Sequence, residues 1–287
     1  MDNENEQLQS HVNSVESHYS RPGLESTILS ALKNAGKNVG ELTADDLAPI
    51  SEFHLQGREA TSNLATLLNL QPSHHVLDVG SGIGGPSRFL ASKFGCKVTG
   101  LDLVSEYSRV SESLAKRVKL DNLLDYRQGD ATQMPFEDAT FDVAWTQHAS
   151  MNIADKKKLY SEIYRVLKPG GRFVMFDVLR GNNNSDGVSM HFPVPWAKEA
   201  SISHLISPEE LRKLLQAVGF QEISWENKTS SAMDWLNQMK KRAETSGPPL
   251  IGLHTLVGNQ WPELIKNVMR NLEEGRIAVA QGIFKRG

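Results

Sequence analysis

The segment His75–Val79 is a short apolar strand that runs straight into Gly80-Ser81-Gly82-Ile83-Gly84-Gly85, and a helix follows to Phe94. Few folds accommodate a strand, a glycine-rich turn and a helix in immediate succession. Glycines let the backbone turn tightly and come close to a ligand, and the helix N-terminus behind them offers free amides to an anionic group. The alternation continues with a strand at Lys97–Asp102, a helix from Ser105 to Leu120, and strands near Leu124–Gln128 and at Phe141–Thr146. A helix at Asp155–Leu167 stops at Pro169-Gly170-Gly171, and a strand at Arg172–Leu179 follows. Strands alternating with helices imply parallel βαβ units. Right-handed crossovers then produce an open, doubly wound α/β sheet.

The flanks are helical. Residues 1 to about 16 are polar and expected to be loosely ordered. Leu24, Ile28, Leu29 and Leu32 recur at helical spacing, a second short helix starts after the cap candidate Thr43, and a third runs from Gly57 to Leu70. In the tail, Ser207-Pro208-Glu209-Glu210 is a capping-box pattern with proline in the first turn, and the helix it opens stops at Gly219. A strand at Phe220–Glu226, helices at about 231–244 and 262–274, and a strand from Arg276 to Phe284 complete the chain. This reading gives an N-terminal helical cap, 1–70, and an α/β domain, 71–287, with lid insertions at about 180–206 and 227–274.

Composition excludes several function classes. The 287 residues carry a formal net charge of -3 with no basic block, which argues against a nucleic-acid partner. The N-terminus lacks an apolar secretory segment, and no apolar run approaches the roughly 20 residues that span a bilayer. A single cysteine, Cys96, fits a reducing compartment. A cytoplasmic location without membrane attachment is therefore expected. No His, Cys, Asp or Glu cluster has metal-ligand spacing, so no metal is expected.

The glycine loop by itself suits two cofactor classes. Gly80, Gly82 and Gly85 satisfy the dinucleotide pattern G-x-G-x-x-G, and Asp78, Gly80, Gly82 and Gly84 satisfy the D-x-G-x-G-x-G pattern of S-adenosylmethionine sites. Asp102, ending the second strand, suits the ribose hydroxyls of either. Gly129-Asp130-Ala131 with Met134-Pro135-Phe136, then Phe141-Asp142, then Leu167-Lys168-Pro169-Gly170-Gly171 follow in the chain, and a nicotinamide-linked oxidoreductase would leave 129–136 and 167–171 unexplained. Taken in order, these segments make residues 74–180 resemble the core of class I S-adenosylmethionine-dependent methyltransferases acting on small molecules. The group includes the sarcosine/dimethylglycine, phosphoethanolamine, tocopherol and natural-product sugar enzymes. The resemblance implies a Rossmann-like, seven-stranded, mostly parallel sheet whose last strand is antiparallel. It also implies that Asp78, Gly80, Ser81, Gly82 and Gly84 hold the methionine end, Asp102 and Leu103 the ribose, and Asp130 and Ala131 the adenine. Gln147 would line the same pocket, Tyr19 would fold over the cofactor, and Gln56, before Gly57, would lie in a turn near the methionine moiety.

Methyl transfer from a sulfonium is an in-line displacement in which the protein mainly aligns the acceptor and excludes water. A base is needed only if the acceptor carries a proton at working pH. His148, just past the fourth strand, is the candidate base or acceptor-orienting residue; a merely hydrogen-bonding loop histidine is the other reading. Asn152, His191 and Trp196 are candidate acceptor contacts, the last two in the stiff segment His191-Phe192-Pro193-Val194-Pro195-Trp196. Phosphoethanolamine enzymes place an aspartate, then a histidine four residues on, where this chain has His148 and Asn152, so the acceptor stays open between O- and N-methylation. Methylation of protein or RNA, and a scaffold that binds S-adenosylmethionine without turnover, are the alternatives.

Overall fold

The structure is a computed structural model that describes residues 14–183 and 190–287. Most of the segment expected to be loosely ordered and part of the 180–206 insertion lie outside these residues. Helical residues 14–19 lead to α1 (Leu24–Asn34), α2 (Ala44–Ser51) and α3 (Gly57–Thr66). Then follow β1 (His75–Val79), α4 (Gly85–Phe94), β2 (Lys97–Asp102), α5 (Ser105–Arg117), β3 (Leu124–Gln128) and β4 (Phe141–Gln147). The second half comprises α6 (Lys156–Val166), β5 (Leu167–Arg180), α7 (Pro208–Val218), β6 (Phe220–Asn227), α8 (Thr229–Ser246), α9 (Leu253–Val257), α10 (Trp261–Glu273) and β7 (Ile277–Arg286).

The seven strands form one sheet in the order β3-β2-β1-β4-β5-β7-β6. β7 runs antiparallel to both its neighbours, and the other pairs are parallel. The chain winds outward from β1 to β3 and then returns to β4 on the other side of β1. This reversal opens a crevice beyond the carboxyl ends of β1 and β4, where sheets of this kind bind ligands.

Strands covered on both faces need apolar side chains on both, and β5 shows the division. Val174, Phe176 and Val178 join one core with Leu64 of α3, Leu90 of α4 and Val268 and Leu272 of α10. Phe173, Met175 and Leu179 join the other with Leu159 and Ile163 of α6 and Leu211 and Leu215 of α7. A third cluster packs Leu24, Ile28, Leu32, Leu47 and Ile50 of α1 and α2 against Val110 and Leu114 of α5 and Ile83 of the glycine loop. α3 thus shares the core of the sheet, while α1 and α2 cover the loop.

The two capped helices form as their sequences dictate. Thr43 and Asp46 make a reciprocal capping box on α2, and Ser207 and Glu210 make one on α7. α7 ends at Gly219 with φ 116°, a left-handed turn that glycine adopts without steric cost. The largest differences from expectation are two boundaries and one added helix. α3 stops at Thr66, before the left-handed Asn69 (φ 48°). β5 begins at Leu167, which pairs with Phe141, so Pro169-Gly170-Gly171 lies in an irregularity inside the strand rather than ahead of it. The short helix α9 is too brief to show a helical period in sequence.

Candidate active site

A cavity of about 330 Å³ opens at the carboxyl ends of β1, β2 and β4, between the N-terminal helices and the 190s segment, α8, α9 and α10. The glycine loop forms its floor. Gly80 and Ser81 donate their amides to Leu101 O at 2.8 and 3.1 Å, folding the loop back onto β2. Gly82 donates its amide to Asp102 Oδ2 at 2.8 Å, and Val104 donates to Oδ1 at 2.9 Å. A side chain at Gly80 (φ 71°) would collide with Ala149, which follows β4, so glycine is what lets the β1 and β4 loops meet.

Three carboxylates stand around this floor. Asp78, buried at the end of β1, accepts the Ser87 hydroxyl at 2.6 Å, and burial pushes its carboxyl up to about 7. Burial likewise raises Asp102 to about 6, against the pull of its backbone donors. Asp130 accepts both the amide and the hydroxyl of Thr132, at 2.7 and 2.9 Å, on the single oxygen Oδ1. Leu103 and Ala131 line the cavity beside them.

Past β4, His148 donates its amide to Phe176 O at 2.9 Å and takes a left-handed backbone, φ 50°. Its ring stacks on Phe176, with centroids 5.4 Å apart and planes within 8°, and sits edge-on to His54 at 6.0 Å. Burial first, and then the neighbouring His54, hold its pKa well below 6.5, so the imidazole is neutral at physiological pH. Gln147 Oε1 accepts the Trp145 indole N–H at 2.8 Å and the Thr61 hydroxyl at 3.1 Å. Gln147 Nε2 and His148 Nε2 are buried in the wall and have no hydrogen-bond partner among the described residues. Buried polar atoms in that state are costly and call for a ligand or water.

Tyr19, Asn152 and Trp196 also line the cavity. Asn152 accepts the Tyr19 hydroxyl at 2.8 Å and donates to Trp196 O and Ile202 O at 2.7 and 2.8 Å. Its amide therefore ties the N-terminal segment and the 190s segment to the β4 loop. The Trp196 indole N–H donates to Ser203 Oγ at 3.0 Å. Three residues singled out from sequence are not on the cavity wall. His191 Nε2 pairs with Glu274 at 2.9 Å and its amide donates to Asn271, which turns the residue onto α10 instead of the cavity. Gln56, at φ 62°, turns the chain into α3. Gly84 is needed where a side chain would strike Tyr126.

Two buried groups of charges around the site carry no sequence motif. Glu52 accepts from Arg58 Nε at 2.7 Å and pairs with His54 Nε2 at 2.8 Å, and its Oε2 lies 2.9 Å from Thr61 Oγ1, whose single proton is shared between this carboxylate and Gln147 Oε1. Beneath the β4 loop, buried Lys156 donates Nζ to the carbonyls of Ser150 and Ile153, and Asp177 accepts the Ser150 amide at 3.2 Å. Burial lowers Lys156 to about 8 and raises Asp177 to about 6. The available signal for Asp177 was a lone charge inside the apolar run Phe173–Leu179. Among the described residues, no group of three His, Cys, Asp or Glu side chains is placed to hold a metal, and no helix is long and apolar enough to cross a membrane.

Residues 77–175, which build this floor and the first five strands up to the middle of β5, match the family model described as a methyltransferase domain. The chain is 30% identical over 185 residues to sarcosine/dimethylglycine N-methyltransferase of Halorhodospira halochloris, covering 64% of each chain. It is 32% identical over 183 residues to sterol 24-C-methyltransferase of Clavispora lusitaniae, covering 62% of this chain and 48% of the relative. It therefore spans less than two thirds of the length of either. The fold superposes with a TM-score of 0.72, at 21% identity, on phosphoethanolamine N-methyltransferase 2 of Haemonchus contortus solved with S-adenosyl-L-methionine, covering 95% of this chain and 60% of that one.

Proposed function

We propose that this chain is an S-adenosylmethionine-dependent methyltransferase that methylates an oxygen or nitrogen of a small molecule, with His148 as the base. The observation that carries the reading is the sequence Asp78, glycine loop, Asp102, Asp130 around one cavity, with a neutral histidine on the same wall. Asp78, Gly80, Ser81 and Gly82 suit the amino-acid end of the cofactor, Asp102 and Leu103 its ribose, and Asp130 and Ala131 its adenine. Gln147 Nε2 offers a donor beside them. When bound, the cofactor supplies a methyl group already activated on sulfonium sulfur. The protein's share is alignment, exclusion of water by the helical cap and lid, and acceptance of the acceptor's proton at His148 Nε2. The reading includes a cytoplasmic location and no nucleic-acid partner, in keeping with the net charge of -3 and the single buried Cys96.

Isothermal titration with S-adenosylhomocysteine and, separately, NADH tests the cofactor class. Micromolar binding of the first alone is expected, and binding of NADH alone would overturn the reading. Asp102→Ala should remove charge-assisted bonds to the ribose, each worth about 1.5–3 kcal/mol. The S-adenosylhomocysteine dissociation constant should rise roughly 10- to 100-fold in a chain that still folds, with a lowered melting temperature because the Gly82 and Val104 amides lose their acceptor; an unchanged constant would refute the ribose assignment.

The same titration should depend on pH. Ionised Asp102 and Asp78 are the forms that accept hydroxyls and pair with an ammonium, yet in the free protein these groups take up protons below about 6 and about 7. Binding must then expel the protons, so affinity should be full above pH 7.5 and fall on going to pH 5. Constant affinity over that range would contradict the assignment of these carboxylates.

A further inference from the structure

Beyond Gln147 the cavity changes character. Its wall is built from Trp196, Trp235, Trp261, Ile265 and Val268, contributed by the 190s segment, α8 and α10. The polar groups in this half are mostly spent. The Asn152 amide is bonded on both its oxygen and its nitrogen, and the Trp196 indole is bonded to Ser203. Asp155 accepts the Lys158 amide as the cap of α6, and the two side chains meet at 3.6 Å with 43% and 65% of their surface exposed. Arg21, the remaining charged residue of this region's lining, is only partly buried. Nε2 of His148 is buried and unpartnered among the described residues, and the indole N–H groups of Trp235 and Trp261 are the other donors on this wall.

A carboxylate or phosphate placed against such a wall would lose its hydration and gain no partner, and an ammonium would gain only the faces of the tryptophans, so either is disfavoured relative to hydrocarbon. Hydrocarbon placed there is favoured in proportion to the area it buries. Pockets of this kind bind by apolar area and orient by one or two polar contacts.

We infer that the acceptor is an uncharged, predominantly hydrocarbon molecule bearing one hydroxyl, whose body lies against the tryptophans of the lid and whose oxygen meets His148 Nε2. This rests on the methyltransferase reading above. In the reaction, the acceptor oxygen bonds to the methyl carbon, and the carbon–sulfur bond breaks with its electron pair kept on sulfur, leaving S-adenosylhomocysteine. The hydroxyl proton passes to His148 Nε2 and from there to water.

The test is isothermal titration of the full chain saturated with S-adenosylhomocysteine, using 1-naphthol and geraniol as probes against dimethylglycine and phosphoethanolamine. Binding of either hydroxyl probe without binding of the two charged amines is expected. Ile265→Asp and Trp261→Lys, both at partly exposed positions that tolerate a charge in the folded state, should each weaken the probe at least about tenfold. Affinity for S-adenosylhomocysteine should be unaffected. Binding of dimethylglycine or phosphoethanolamine in place of the hydroxyl probes would overturn the inference while leaving the methyltransferase reading intact. So would the absence of any probe binding, or two folded variants with wild-type probe affinity. Failure to bind S-adenosylhomocysteine at all would overturn both.

Discussion

Replacing His148 by alanine is expected to lower kcat by about 10²- to 10⁴-fold, the range removed with a positioned general base, and to leave S-adenosylhomocysteine affinity within about twofold of wild type. The geometry supports this separation. His148 sits past the end of β4 with its ring clamped on Phe176 and edge-on to His54, so its position is fixed before any acceptor arrives. Its backbone is held at φ 50°, a conformation costing a non-glycine residue roughly 1 kcal/mol or more. Alanine relieves none of that cost, whereas glycine relieves it. His148→Gly should therefore be at least as stable as His148→Ala while equally inactive. Equal losses of turnover and cofactor affinity would assign His148 a structural role instead.

The pH profile provides an independent readout. A base must be neutral to accept a proton, and burial holds His148 well below 6.5. At saturating cofactor the acid limb of kcat should therefore lie below pH 6.5, with turnover flat through neutrality, and the limb should vanish in His148→Ala. A limb centred at or above pH 7 would assign the titrating group elsewhere.

The glycine-loop side of the cavity was readable in the sequence because it is built from contiguous segments. A strand end, a glycine turn and a helix start are adjacent in the chain, and Asp78, Asp102 and Asp130 each end or follow a strand in register. The opposite side, around Asn152 and Trp196, was only partly readable because it depends on contacts between distant segments. Asn152 has the residue type of an acceptor contact, yet its amide joins Tyr19, Trp196 and Ile202. His191 is drawn to Glu274, 83 residues further on, a pairing that no local pattern announces. The fold followed the same rule. The capped helices and apolar strands were evident, whereas the α9 turn and the start of β5 at Leu167 depend on tertiary packing.

Glu52→Ala should produce the largest loss of stability of any substitution considered. Glu52 comes from the segment between α2 and α3, and its side chain retains 3% of its surface exposure. Burial alone would raise its carboxyl, but the hydrogen bond and charge of His54, with Arg58 and Thr61, outweigh that effect and hold it below the usual carboxylate range. Removing the carboxylate takes the charged partner from Arg58 Nε and from the His54 ring, 2% exposed, which keeps only Leu55 O at 3.1 Å and Thr61 Oγ1 at 3.2 Å. Breaking a buried pair from one side costs about 3–5 kcal/mol, which for a chain of this size corresponds to a fall of roughly 10 °C in melting temperature. Glu52→Gln keeps the shape but not the charge and should recover part of the loss. Because the folded pKa is depressed, the stabilisation is present above the unfolded value near 4.5 and is lost as pH falls through the folded one. The gap between wild type and Glu52→Gln should therefore shrink on acidification below pH 4.5. The network also reaches the cavity wall, since Thr61 bonds the same Gln147 oxygen that accepts the Trp145 indole. Glu52→Gln should thus weaken S-adenosylhomocysteine binding by a few-fold in the folded protein. A melting temperature of Glu52→Ala within 2 °C of wild type, roughly 1 kcal/mol or less, would show that the buried carboxylate does not hold the helical cap to the sheet.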